Sequence, residues 1–139
     1  MLQLDNQLCF ALYSTSLAMT RVYKPLLDNL GLTYPQYLAM LVLWEQDGLM
    51  VSELGDKLFL DSGTLTPLLK RLESSGLVSR IRAVEDERRV HITLTVAGRA
   101  LKTKAALIPS CILSASQCSL PELIKLTQQV QALRQRLVA

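Results

Sequence analysis

One histidine, three cysteines without a CxxC pair, and no long apolar run set the first limits on this 139-residue chain. His91 and the scattered cysteines offer no metal-ligand spacing, so neither a metal nor a cofactor is expected. No apolar stretch approaches the roughly eighteen residues of a spanning helix. The longest, LAMLVLW and AALIPSCILSA, are broken by Glu45, Pro109 and serines. The N-terminus lacks a basic leader region and carries Asp5 early, so no secretory signal is expected. An odd cysteine count without such a signal points to free thiols in a reducing cytoplasm. Charge is also scarce, at 19% of residues against 50% hydrophobic. Surplus apolar surface without a membrane span predicts burial between subunits, hence a homodimer or larger oligomer. The length suits one domain, residues 1–139, with a real core.

The small net charge of +3 conceals an asymmetry. Residues 1–60 hold three basic side chains against six acidic, residues 61–99 seven against five, and residues 100–139 five against one. The basic excess begins in the middle of the chain, a weak pointer to nucleic acid by itself.

Periodicity predicts a mainly α fold with a small β-hairpin. A long helix over 5–30 has Asp5 or Asn6 as N-cap, a kink at Pro25 and a stop at Gly31. TYPQ at 33–36 is a capping box, with Pro35 in the first turn where its missing N–H costs nothing. The helix it opens runs through Trp44 to Gly48. VSELGDKLFL reads as a short helix with Leu54 and Leu58 inward. LDSGTLTPLLKRLESSG is a second one, capped by Asp61 or Ser62 and stopped at Gly76, with Pro67 delaying its start or bending it. Two short helices joined by a tight turn form a helix-turn-helix candidate. Two β-branched runs, 77–82 and 89–94, flank a charged turn as a hairpin, which makes the unit a winged helix. A fifth helix breaks near Pro109. SLPE at 119–122 opens the last, where Leu123, Leu126, Val130, Leu133 and Leu137 step 3-4-3-4 like a coiled-coil seam. These elements place a DNA-binding lobe at about 50–95 and dimerisation elements at about 1–32 and 100–139.

The second helix of the pair begins with the hydroxyls of Ser62, Thr64 and Thr66 and turns basic at Lys70 and Arg71, a surface suited to base edges and phosphates. The hairpin adds Arg80, Arg82, Arg88 and Arg89. A β-ribbon arginine fits a narrow minor groove. Glu85, Asp86 and Glu87 beside them read either as a solvated turn or as acids that orient the guanidinium groups.

QLCFALYST, residues 7–15, raises a separate chemistry. Cys9 and Tyr13 are one helical turn apart and share a face, near a helix start where the dipole favours an anion. Tyr23 lies fourteen residues on, close to the same face but displaced by about 21 Å at 1.5 Å per residue. It cannot touch Cys9 within its own helix. Two copies of the helix packed antiparallel would bring Tyr23 of one beside Cys9 of the other. The neighbours Leu8, Phe10 and Leu12 make the surroundings of Cys9 apolar, suited to a reaction partner with a hydrocarbon tail. Oxidation would give a sulfenic acid that a second thiol traps, with Cys111 and Cys118 as candidates.

VSELGDKLFLDSGTLTPLLKRLESSGLVSR followed by DERRVHITLT resembles the winged helix-turn-helix of the MarR family of bacterial repressors. LDNQLCFALYSTS, LTYPQYLAMLVLWE and LDSGTLTPLLKRLE resemble its organic hydroperoxide sensor branch, the OhrR proteins, over essentially the whole chain. The resemblance implies a cytoplasmic, non-enzymatic repressor without catalytic residues, a homodimer built by its N- and C-terminal helices on pseudo-palindromic operator DNA, and an organic hydroperoxide as inducer. It implies that Cys9 is the redox sensor, that Tyr13, Tyr23 and Tyr34 surround it, and that Ser62, Thr64, Arg80, Asp86 and Arg88 contact DNA. The family's resolving cysteine falls nearest Ser114, so Cys111, Cys118 or a low-molecular-weight thiol is left to trap oxidised Cys9. Two alternatives share parts of the pattern: a MarR-type repressor released by a reversibly bound phenolic or lipophilic ligand, and a thiol peroxidase, whose first chemical step is identical.

Overall fold

In the computed structural model, which describes residues 1–86 and 89–138, seven α-helices accompany a three-stranded antiparallel sheet. Contacts divide the chain into two compact units, residues 1–106 and 107–139.

In the first unit a 3-10 turn at Leu4–Asn6 precedes α1, Leu8–Asp28, whose N-cap is Gln7. The cap expected at Asp5 or Asn6 is thus displaced, because those residues are taken up in the short turn. Pro25, where a kink was expected, lies inside the helix, which runs on to Asp28. Two bonds then close it, Gly31 N–H to Asp28 C=O and Leu32 N–H to Leu27 C=O, both 3.1 Å. α2, Tyr34–Glu45, opens on the capping box read from the sequence: Thr33 Oγ1 accepts from Gln36 N–H at 3.4 Å, and Gln36 Oε1 accepts from Thr33 N–H at 3.0 Å. Its buried residues include Ala39, Met40 and Leu43, and a large buried aliphatic side chain contributes about 1.5–3 kcal/mol.

The short strand β1, Leu49–Met50, leads into α3, Val51–Leu58, and then α4, Ser62–Ser74. Leu54 is fully buried in α3, while Leu58 is only half-buried. α4 starts at Ser62, neither delayed nor interrupted by Pro67: Asp61 Oδ1 caps it by accepting from Thr64 N–H at 2.7 Å. Leu65, Leu68, Leu69 and Leu72 bury one side of α4, and their packing outweighs the backbone bond that Pro67 forfeits. Beyond Ser75, Gly76 adopts φ 77° and two bonds, Gly76 N–H to Glu73 C=O and Leu77 N–H to Leu72 C=O, close the helix. Glycine takes that left-handed conformation without a Cβ penalty.

β2, Val78–Arg82, and β3, Val90–Leu94, form the expected hairpin, with Arg80 opposite Ile92. β1 adds a third strand on the far side of β3, so the sheet order is β1-β3-β2. The root of the hairpin is tied down by polar contacts. Asp47 Oδ1 accepts from the N–H groups of Gly48 and Leu94, each at 2.8 Å. Thr95 caps α5, Val96–Ala105, and its hydroxyl donates to Gly76 C=O at 2.6 Å.

In the second unit α6, Ile108–Ser116, and α7, Leu120–Val138, are joined through Gln117 at φ 57°. α6 starts anew with Pro109 in its first turn, so the expected break is present. Ser119 Oγ accepts from Glu122 N–H at 3.3 Å and donates to the Glu122 carboxylate at 3.0 Å. On α7, Leu126, Val130 and Leu137 are exposed, and Leu123 and Leu133 are half-buried. Among the described residues, no single helix is long and apolar enough to cross a membrane.

Candidate functional site

Successive residues of α4 are about 100° apart around the helix axis, so the buried leucines leave an outer stripe of Gly63, Pro67, Lys70 and Ser74, all exposed. Thr64 and Thr66 flank that stripe from opposite sides. A third stripe, Ser62, Thr66, Leu69 and Glu73, faces the hairpin. There a cavity of about 500 Å³ opens between α4 and the sheet, lined by Ser52, Ser62, Thr66, Leu69, Arg80 and Arg89 among others. The structure therefore brings Ser62, Thr66 and Arg80 to one cleft, while Thr64 and Lys70 lie on the outer side of the same helix. Arg89 joins that cleft; the sequence marked it only as one of four hairpin arginines. The Asp61 carboxyl is held below its usual range by the hydrogen bonds from Thr64.

Arg80 does not project freely. Its Nε donates to Glu73 Oε1 at 3.2 Å, and its backbone N–H donates to Glu73 Oε2 at 3.2 Å. At the hairpin tip, Ala83 N–H donates to Arg89 C=O at 2.8 Å and Arg89 N–H to Asp86 C=O at 2.9 Å. Asp86 is half-buried. Arg88 and Glu87 lie outside the described residues.

Cys9 is the second residue of α1, exposed, with exposed Tyr13 one turn further on. The same helix also leaves Leu8, Phe10, Leu12, Leu17, Met19 and Val22 exposed. At its other end Tyr23 joins two tyrosines of α2, with ring centroids 4.9 Å from Tyr34 and 5.8 Å from Tyr37. Burial, with smaller contributions from Tyr34 and Tyr37, pushes the Tyr23 phenol up to about 12. Burial likewise raises Tyr34 and Tyr37. Tyr37 is the member that sequence reasoning missed. Its signal was the three-residue step from Tyr34, which puts both rings on one face of α2. Cys111 is exposed on α6 and Cys118 is half-buried after it; all three thiols are free.

The profile of the transcriptional regulator SarA/Rot family matches residues 21–105. The organic hydroperoxide resistance transcriptional regulator of Bacillus subtilis is 53% identical over 136 residues, spanning 98% of this chain and 92% of that protein. The chain belongs to the MarR/SarA family of transcriptional regulators, alongside the organic hydroperoxide resistance regulators. Solved structures agree with this regulator's fold. Reduced AbfR bound to DNA superposes with a TM-score of 0.81 at 36% identity, covering 98% of this chain and 95% of that one. The disulfide form of AbfR, a Staphylococcus epidermidis protein, gives 0.67 at 38% identity over 96% and 89%. The class is non-enzymatic, and its members are DNA-binding regulators of winged-helix fold.

Proposed function

We propose that this regulator is a dimeric, cytoplasmic repressor of a pseudo-palindromic operator, released when an organic hydroperoxide oxidises Cys9. One observation carries the reading: α1 presents its two chemically distinctive ends as separate half-sites. Cys9 and Tyr13 stand exposed at one end, and Tyr23, gathered with Tyr34, stands at the other, about 21 Å away along the axis. Among the described residues the hydroxyls of Tyr13, Tyr23 and Tyr34 make no hydrogen bond within the chain. An antiparallel pair of α1 helices, supported by the exposed apolar side chains along α1 and α7, would join the two halves into one site. The single winged-helix domain then comprises a DNA-binding lobe at about 50–95 and dimerisation elements at about 1–32 and 100–139. Ser62, Thr64, Thr66, Lys70, Arg80, Asp86 and Arg88 form the DNA contact set.

The chemistry is a two-electron oxidation. The Cys9 sulfur attacks the terminal peroxide oxygen, the O–O bond breaks, and the alcohol leaves with the thiol proton, giving a sulfenic acid. A thiol from Cys111, Cys118 or a small molecule condenses with it, forming a disulfide and releasing water. A disulfide within the protein requires the two Cα atoms to come within about 7 Å, so it can lock a conformation that disfavours DNA.

Mass spectrometry of the intact protein after one equivalent of cumene hydroperoxide tests this, with and without reduction. The expected product is a single oxidation at Cys9, appearing as a sulfenic acid, an internal disulfide or a mixed disulfide. An unmodified protein that still leaves its operator on binding a phenolic compound would favour reversible ligand release.

A further inference from the structure

We infer that Glu73 is a positioning residue for DNA recognition, acting by orienting the Arg80 guanidinium; the inference rests on the reading of the hairpin as a DNA-contacting wing. A carboxylate in the last turn of α4 is in an electrostatically poor place. The C-terminal end of a helix favours cations, and a face turned toward phosphates favours them more. Lysine would serve both demands better, as nearby Lys70 and Arg71 do.

What Glu73 does there is geometric. It ends the α4 stripe that begins at Ser62 and passes through Thr66 and Leu69, and it bonds to Arg80, which lines the same cleft as those three residues. Its two oxygens are divided between two donors of one residue. Oε2 accepts from Arg80 N–H on the outer edge of β2, which among the described residues has no neighbouring strand on that side, and Oε1 accepts from Arg80 Nε. The first bond pins the strand to the helix. The second holds the guanidinium side-on through its inner nitrogen, and among the described residues neither Nη is hydrogen-bonded. Arg80 therefore keeps the pair of outward N–H groups that a phosphate or a base edge accepts, aimed from a fixed stem. The ion pair is itself solvent-exposed, with about a third of each side chain accessible (32% for Arg80 and 38% for Glu73). Exposed pairs of this kind add little to stability, so an orienting role explains the carboxylate better than a stabilising one.

The expected effect of removing Glu73 has an unusual sign. Removing a negative charge beside DNA ordinarily tightens binding, whereas Glu73→Gln should weaken recognition. Glutamine is isosteric but offers a single acceptor oxygen, so it cannot serve both Arg80 donors in this geometry. The full-length protein would be titrated by fluorescence anisotropy against a duplex it selects from randomised DNA and against a scrambled duplex of equal length. Arg80→Ala should bind the selected duplex about tenfold more weakly. Glu73→Gln should lose about fivefold on the selected duplex and nothing on the scrambled one, a loss of discrimination and not of charge attraction. In an Arg80→Ala background, Glu73→Gln should have no further effect. Arg80→Lys keeps the charge but lacks the forked geometry, and should lose discrimination to a similar degree. Tighter binding of both duplexes by Glu73→Gln would overturn the inference. So would an equal loss in the Arg80→Ala background, since the Arg80 backbone N–H persists there and the effect would then run through the fold. If Arg80→Ala leaves the selected duplex unaffected, the wing reading fails first and the role of Glu73 with it.

Discussion

Gly98→Ala should destabilise the protein by about 3 kcal/mol and loosen the root of the wing. A Cβ at this position would sit 2.1 Å from the Leu77 carbonyl oxygen and 3.1 Å from its carbon, where real Cβ atoms essentially never approach within 3.0 Å. The Leu77 segment or the start of α5 must therefore retreat by about 1 Å, an overpacking penalty that ranges up to about 3 kcal/mol. The atoms that would move are hydrogen-bonded. Gly98 N–H donates to Thr95 Oγ1 at 3.0 Å, Gly98 C=O accepts from Trp44 Nε1 at 2.9 Å, and Leu77 C=O accepts from Thr95 N–H at 3.1 Å. Each bond contributes about 1 kcal/mol net, so losing one or two can replace or add to the steric term. For a chain of this size 3 kcal/mol corresponds to a fall of about 10–15 °C in the thermal midpoint. Urea unfolding with an unchanged m-value measures the loss directly. Leu77 immediately precedes β2, so operator affinity should fall in the same variant. A midpoint within 2 °C of wild type, about half a kcal/mol, would refute the packing argument.

Thr33→Ala removes one half of the capping box on α2 and should cost about 1 kcal/mol, read as a fall of a few degrees in the thermal midpoint. The Tyr23 phenol, raised to about 12, favours the folded state while protonated. That contribution is complete below the ordinary phenol value of 10 and disappears as pH rises toward 12, so Tyr23→Phe should show a shallower stability loss over this interval in urea titrations. Arg88→Ala should weaken operator binding by about 1–3 kcal/mol if the arginine makes a specific groove contact. Wild-type affinity should fall with salt at a slope near −0.9 per phosphate neutralised, measured by anisotropy across a salt series.

Elements whose determinants are local were legible in the sequence. Thr33 and Gln36 announced α2, Asp61 or Ser62 announced α4, and two β-branched runs around a charged turn announced the hairpin. Elements that depend on distant partners were not. Leu49–Met50 is a strand only because it pairs with His91–Ile92 on β3, some forty residues later, and two residues carry no period of their own. Pro67 suggested a delayed helix, yet the cap at Asp61 and four buried leucines fix α4 from Ser62 onward. The candidate site divides in the same way. The Cys9–Tyr13 step is readable because one helix sets it. The packing of Tyr23 on Tyr34 and Tyr37, and the hold of Glu73 on Arg80, arise between elements and became visible only in the fold.

Whether Cys9 is the switch is decided by following operator binding of Cys9→Ser and wild type while cumene hydroperoxide is added. Serine keeps the size and hydrogen-bonding character of cysteine without its redox chemistry. Both proteins should bind the operator equally in the reduced state. Wild type should then be released, which requires several kcal/mol of difference between the two states, a shift that a covalent bond can supply. Cys9→Ser should stay bound throughout. Release of the serine variant as readily as wild type would mean that Cys9 is not the sensor.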